Sequence, residues 1–264
     1  MLRRRTENMK IVVLGKGGCG KSTVTTILAR NLAEQGARVL VIDTDESNLG
    51  LHRQLGVAEP KELMEQLGGR SEIGKRLMAA LRGGTDEPKA ELIVGRWTID
   101  DIPAECLTSN GAVSLMHIGK VKHFGEGCAC PMGALSRCFL DRLDLKDGEI
   151  AIVDTEAGVE HIGRGVEAST DLILMVIDPS FESIRLSEHV TGMLERVGKK
   201  VFFVVNKSDE DSIAVINGKL DAAKVAAVLP LDRSIQNAGL VGDMTPIKVN
   251  GSDKLTDFII QGAY

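Results

Sequence analysis

Gly15-Lys16-Gly17-Gly18-Cys19-Gly20-Lys21-Ser22-Thr23 fits the phosphate-loop pattern G-x-x-x-x-G-K-S/T, and its neighbours supply the context that pattern requires. The apolar run Ile11-Val12-Val13-Leu14 enters it as a strand, and residues 23–35 leave it with helical spacing. Glycines let successive backbone N–H groups turn toward an anion, and the following helix aims its positive end at the same point. In this reading the stretch Gly17, Gly18, Cys19, Gly20, Lys21, Ser22 and Thr23 cradles phosphates. Lys21 adds a point charge toward the outer phosphates, and Ser22 offers a hydroxyl to Mg²⁺. The alternative is a glycine-rich turn with no ligand, which the full motif in this context disfavours.

Away from this loop, short Val- and Ile-rich runs alternate with helical patterns. Strands are expected over residues 10–14, 38–43, 149–154, 171–178, 200–206 and 222–229. Their near-continuous hydrophobicity suits a parallel sheet buried on both faces. Helices are expected over 23–35, 134–143, 181–197 and 209–219, with Gly36 and Gly198 placed for the left-handed residue that ends a helix. The fold class is therefore α/β, a doubly wound, mainly parallel sheet with helices on both faces and ligands at the carboxyl ends of its strands. Residues 56–148 interrupt the rhythm. Residues 62–81 read as a helix, Gly83-Gly84 as the start of a polar loop, and 97–102 and 112–118 as strands. This stretch is read as an insertion within one domain spanning 1–264, with 1–8 as an extension before Met9.

Composition narrows the function classes. The chain has 264 residues, a net charge of -5 and 3% aromatic residues. An acidic, aromatic-poor chain has little general affinity for nucleic acid or anionic membrane. No apolar run reaches the length of a spanning helix, and no apolar segment follows Arg3-Arg4-Arg5 to make a secretory signal. Five cysteines, an odd number, point to a reducing cytoplasm and not to a disulfide framework.

The second lysine of the loop, Lys16, makes the form G-K-G-G-x-G-K-S/T. This form resembles the deviant phosphate-loop ATPases: the nitrogenase iron protein, the cell-division and plasmid-partition ATPases and their relatives, of the phosphate-loop NTPase class. The resemblance implies that Lys16 reaches across a two-fold interface to the partner's ATP. It implies that Asp45, in Asp43-Thr44-Asp45, orients or activates the attacking water while Asp43 supports the switch region. Asp154, in Asp154-Thr155-Glu156-Ala157-Gly158, would hold the Mg²⁺ shell, and Gly158 would present its N–H to the γ-phosphate. A carboxylate positions water or hydrated metal, and a glycine brings backbone close to an oxyanion. Asn206 resembles the family's adenine-side asparagine, whose amide both donates and accepts; a turn-forming Asn at a strand end is the alternative. Pro230-Leu231-Asp232 resembles the adenine-flanking loop, with Pro230 and Asp232 beside the base.

Gly127-Cys128-Ala129-Cys130-Pro131-Met132 is the second informative stretch. Thiols one residue apart point the same way in an extended segment and are too close for an easy disulfide. Two thiolates leave a tetrahedral shell half complete, and a two-fold dimer supplies the other half. Burial of two small side chains is the alternative. With the run Glu156-Ala157-Gly158-Val159-Glu160-His161-Ile162-Gly163-Arg164, this C-x-C-P segment resembles the nickel-insertion ATPases that mature carbon monoxide dehydrogenase and acetyl-CoA synthase. The resemblance runs from Lys10 onward. It implies a homodimer with ATP and Mg²⁺, Ni²⁺ or Zn²⁺ at an intersubunit site of four cysteines, Cys128 and Cys130 from each copy, and a client nickel enzyme as partner, without nucleic acid or membrane. Thiolates do not choose between Ni and Zn. His123 is a possible further ligand but suits an exposed loop. His161 and Arg164 follow the switch aspartate, where they would couple nucleotide state to the metal site or to the client; packing within a helix is the alternative. His117, Cys106 and Cys138 read as core residues. The competing readings are an iron–sulfur electron donor like the nitrogenase iron protein and a partition-type positioning switch. The first usually takes widely spaced cysteines, and the second needs a basic surface or an amphipathic anchor.

Overall fold

The computed structural model describes residues 7–82, 91–120, 130–157, 166–241 and 248–262. Strand β1 (Met9–Gly15) leads to helix α1 (Lys21–Glu34), and β2 (Arg38–Asp43) leads to a short α2 (Leu51–Leu55). Two helices, α3 (Leu63–Gln66) and α4 (Gly69–Arg82), precede β3 (Thr108–Asn110) and β4 (Val113–His117). Helix α5 (Cys130–Arg142), β5 (Glu149–Asp154), β6 (Leu172–Ile177) and α6 (Phe181–Arg196) follow. The chain continues through β7 (Val201–Ser208), α7 (Glu210–Asn217), β8 (Val225–Pro230), α8 (Arg233–Val241) and α9 (Ser252–Gln261).

The eight strands form one sheet in the order β3-β4-β2-β5-β1-β6-β7-β8, and every pairing but β3 with β4 is parallel. Alternate side chains divide between two cores because side chains point to opposite faces along a strand. Val12, Leu14, Leu40 and Ile42 join Phe139, Leu135, Val190 and Leu194 of α5 and α6 on one face. Ile11, Val13, Val39 and Val41 join Leu28 and Leu32 of α1 and Leu255 and Ile259 of α9 on the other. The doubly wound class expected from the sequence is the observed one. Strand β1 lies between β5 and β6, so chain connections depart to either side of it. The loop after β1 thus opens at the topological switch point where ligands of such sheets bind.

Several local expectations need correction. Residues 97–102 are not a strand: Ile99–Asp101 is a 3₁₀ turn closed by a reciprocal Thr98/Asp101 capping box, a local side-chain competitor to extended backbone. The helix over 62–81 is broken into α3 and α4, because Gly68 and Gly69 take φ of 101° and 81°. Residues 222–224 are a 3₁₀ turn capped by Asp221, so β8 begins three residues later than expected. Helix α5 begins at Cys130, earlier than the periodicity indicates, so the second cysteine of the C-x-C pair opens a helix instead of continuing an extended segment. Proline suits the first helical turn, and Pro131 follows directly. At the root of this region a Cβ on Gly119 would stand 2.9 Å from Met132 Sδ. The chain on either side of residues 120–131 therefore touches itself.

Candidate nucleotide site

The loop after β1 owes its shape to glycine. Gly15, Gly18 and Gly20 have φ of 148°, 76° and 99°. A Cβ on Gly15 would lie 2.6 Å from the Val176 carbonyl oxygen, and one on Gly20 would lie 2.3 Å from Asn206 Nδ2. Helix α1 starts at Lys21 with Gly20 as its cap, and no side chain occupies the cap position. Its first N–H groups remain available to an anion, and the helix dipole favours one there.

Three lysines surround the loop. Lys21 is buried, and its Nζ donates to the Lys16 carbonyl at 3.3 Å, in the space beneath the loop. Lys207 has φ of 57°, the one non-glycine residue with positive φ among the described residues, and donates to the Gly18 carbonyl at 2.7 Å. Sequence reasoning passed over it. Lys16 turns to its own chain: Nζ lies 3.3 Å from Asp178 Oδ2 and donates to Ser180 Oγ at 3.0 Å. Burial opposes ionisation of Asp178, but hydrogen bonds from Ser183, Ser180 and Lys16 outweigh it and hold its pKa below the usual value. The partner of Lys16 was not anticipated, because Asp178 reads in sequence as one more acidic strand end.

Asp154 ends β5 with its carboxylate fully buried. Ser22 Oγ donates to Oδ2 at 2.6 Å, Thr25 Oγ1 to Oδ1 at 3.3 Å, and Asn48 Nδ2 to Oδ2 at 3.3 Å. Burial pushes its pKa up to about 6, opposed by the Ser22 hydroxyl and the Lys21 charge. A hydroxyl and a carboxylate in contact beside a phosphate loop are the hard oxygen donors Mg²⁺ prefers, so these residues fit that ion. When bound with nucleotide, the ion would neutralise phosphate charge.

Asp43 is buried at the end of β2 against Lys120, whose Nζ donates to Oδ2 at 2.6 Å. Burial pushes the Asp43 pKa up to about 7, with Lys120 opposing. His117 Nε2 stands 3.5 Å from the same oxygen. Burial depresses its pKa to about 3, so the imidazole is neutral and this contact is not an ion pair. Asp45 Oδ1 accepts from the backbone N–H and the hydroxyl of Ser47, at 2.8 and 2.7 Å, and so turns the chain toward Asn48. Lys120 and Asn48 were missed in the sequence, where a lysine and an asparagine in loops carry no periodicity.

On the other side, Asn206 is buried and its Nδ2 donates to the Cys19 carbonyl at 2.9 Å. Cys19 is buried against the loop, and burial raises its thiol pKa. Pro230 lies opposite Ser208 at the end of β8, and Asp232 Oδ1 accepts from Ser234 N at 2.8 Å as α8 begins. Lys16, Lys21, Ser22, Asp154 and Asn206 therefore converge on the loop, with Asp45, Pro230 and Asp232 on adjoining turns. Cys106 and His117 are buried and Cys138 packs against the core. Gly158, Cys128, His123, His161 and Arg164 lie outside the described residues, as does the side chain of Cys130. Among the described residues no group of three or more His, Cys, Asp or Glu could hold a metal ion. Among them, too, no helix is long and apolar enough to cross a membrane.

Comparison with known proteins agrees with this geometry. The family model described as the CobQ/CobB/MinD/ParA nucleotide binding domain matches residues 10–244. An uncharacterized ATP-binding protein of Methanocaldococcus jannaschii is 51% identical over 89% of this chain and 93% of its own length. The carbon monoxide dehydrogenase accessory protein CooC of Rhodospirillum rubrum is 34% identical over 90% of this chain and 91% of its own. Among solved structures, the septum site-determining protein MinD of Pyrococcus horikoshii, complexed with Mg-ADP, superposes with a TM-score of 0.61. It is 19% identical and covers 97% of this chain and 94% of that one, a likeness of fold.

Proposed function

Given that the chain belongs to the CobQ/CobB/MinD/ParA nucleotide-binding domain family and is an ATPase of the MinD/ParA type, we propose that it is an ATP-dependent nickel metallochaperone. In this reading it dimerises in the cytoplasm and delivers nickel to carbon monoxide dehydrogenase or acetyl-CoA synthase. The observation that carries the reading is the Cys128/Cys130 pair in a chain 34% identical to a carbon monoxide dehydrogenase accessory protein over most of its length.

The proposed roles rest on the phosphate-loop pattern, the family resemblance and the chemistry of each residue. The backbone from Gly17 to Thr23 and the Lys21 ammonium hold the β- and γ-phosphates, while Ser22 binds Mg²⁺ and Asp154 its water shell. Asp45 orients the attacking water, Gly158 approaches the γ-phosphate, and Asn206, Pro230 and Asp232 flank the adenine. Lys16 leaves Asp178 for the phosphates of the facing copy. The cargo ion sits between the two copies on four thiolates, and hydrolysis loosens that interface so that nickel passes to the client. The chain acts as one domain, with residues 56–148 as its cargo-bearing insertion.

Sizing chromatography with metal analysis, run with and without MgATP and Ni²⁺, tests this. Doubling of mass with one nickel per pair is expected, and the Cys128→Ser, Cys130→Ser double variant should keep ATP binding and lose the metal. Retained stoichiometric nickel in that variant would exclude the assigned cargo site. Iron and acid-labile sulfide in place of nickel would favour the electron-donor reading. Dimerisation with ATP alone and no metal would favour a MinD-type switch, in line with the match of 24% identity to MinD of Thermotoga maritima over 94% of the chain.

A further inference from the structure

Turn 45–50 connects β2 to α2 and is tied at two points. At one, Asn48 Nδ2 donates to Ser22 Oγ at 2.9 Å and to Asp154 Oδ2 at 3.3 Å. The orientation of this amide is fixed by its other end, since Asn48 Oδ1 accepts from Gly50 N at 3.0 Å. At the other point, the Lys120 ammonium donates to Asp43 Oδ2, to the Asp45 carbonyl and to the Asn48 carbonyl, each at 2.6 Å. A lysine has three protons, and here all three are used inside the protein. The Lys120 side chain is 5% exposed. A buried ammonium is tolerable only when so satisfied, which makes its geometry stiff.

Of the two oxygens capped by Asn48, the Ser22 hydroxyl would bind a nucleotide-bound Mg²⁺ and the Asp154 carboxylate its water shell. Magnesium demands oxygen donors at about 2.0–2.1 Å. An amide N–H pointing at the same hydroxyl and carboxylate presents positive hydrogens to a dication. We propose that turn 45–50 is a latch on the magnesium side of the nucleotide site, with Asn48 as its bolt and Lys120 as the positioning residue that holds it shut. The ion can bind Ser22 only when the Asn48 amide withdraws. Withdrawal moves the Asn48 carbonyl, one of three acceptors of the residue that immediately precedes residues 121–129. Magnesium arrival is thereby felt next to the segment that carries Cys128. This inference rests on the nucleotide-site reading and adds a regulation to it.

The test is calorimetry of ADP binding across a Mg²⁺ titration, and in EDTA, on the full chain. Asn48→Ala should lower the Mg²⁺ concentration for half-maximal tightening on the order of tenfold, the loss of one or two hydrogen bonds. ADP affinity in EDTA should not change. Lys120→Met with Asp43→Asn, which removes both buried charges together, should give a similar shift. Combining it with Asn48→Ala should add little, since both release one latch. An Asn48→Ala protein with unchanged or weaker magnesium dependence overturns the latch. A shift with Asn48→Ala but none in the folded double variant overturns the role of Lys120. If the double variant does not fold, Asn48→Ala alone still decides the bolt, and Lys120→Arg, judged by the same titration, decides the clamp: it keeps the charge but not the three-acceptor geometry, so a shifted midpoint supports the clamp and an unchanged one overturns it. Absence of ADP binding by the unaltered chain, with or without Mg²⁺, would remove the nucleotide site itself, a different failure.

Discussion

Asp154 shows how a single carboxylate carries both a site and a cost. Its pKa is pushed from 3.8 up to about 6, chiefly by burial. Below the unfolded value both states are protonated and nothing is lost. As pH rises toward 6 the unfolded chain ionises first, so ionisation progressively favours unfolding, by about 3 kcal/mol in full. Asp154→Asn removes that pH dependence and adds a constant loss from mismatched hydrogen bonds. Chemical unfolding at pH 4 to 7.5, without nucleotide, should show the variant gaining on the parent as pH rises and the gap levelling off above about pH 6. His117 has the opposite sign. Its pKa falls from 6.5 to about 3 on burial, so its contribution is present above pH 6.5 and lost as pH falls toward 3. His117→Gln should therefore gain on the parent under acidification, read from the same denaturation series. Lys21→Ala, which removes the buried ammonium beneath the loop, should abolish MgATP binding by calorimetry while leaving the fold intact by circular dichroism.

At the scale of elements, much was legible because the signals are local and repeated. Strands β2 and β5 show in sequence with the bounds they have in the sheet, and β1 within one residue at each end, because a strand buried on both faces is a continuous apolar run. The phosphate loop shows because glycine is strongly favoured at the positive φ of Gly15, Gly18 and Gly20. What stayed hidden depends on partners distant in the chain. Lys120 is a site residue only because β2 and β4 pair, which brings its ammonium to Asp43 from 77 positions away. The antiparallel β3 is Thr108-Ser109-Asn110, polar throughout, so it has no apolar position to register. Helix α8 carries no buried residue, so it has no burial pattern to read. Helix α9 begins at a close backbone approach: Gly251, its cap, has φ of 86°, and a Cβ there would lie 2.3 Å from the Val228 carbonyl oxygen. Gly251→Ala should cost about 1–3 kcal/mol in urea unfolding, with nucleotide affinity of the folded fraction unchanged.

For the whole molecule, the orientation of Lys16 is the quantity to follow. In the single chain it is engaged by Asp178 and Ser180, whereas the proposed assembly needs it on the opposite copy. Asp178→Asn should weaken that internal hold and shift the MgATP-dependent monomer–dimer equilibrium toward dimer, by severalfold in analytical ultracentrifugation. Lys16→Ala should keep ATP binding and lose the ATP-dependent dimer. A Lys16→Ala protein that dimerises normally would place the interface elsewhere. The contact between Gly119 and Met132 bears on how such a protein diversifies. Because the two ends of residues 120–131 already meet, the entropy of closing that loop grows only slowly with its length. Residues after Lys120 and before Met132 can be added, removed or exchanged without pulling the sheet apart. In the proposed reading a common motor thus accepts a different cargo segment between Lys120 and Met132, and transplanting residues 121–131 between relatives should exchange metal preference while leaving melting temperature and nucleotide turnover in place.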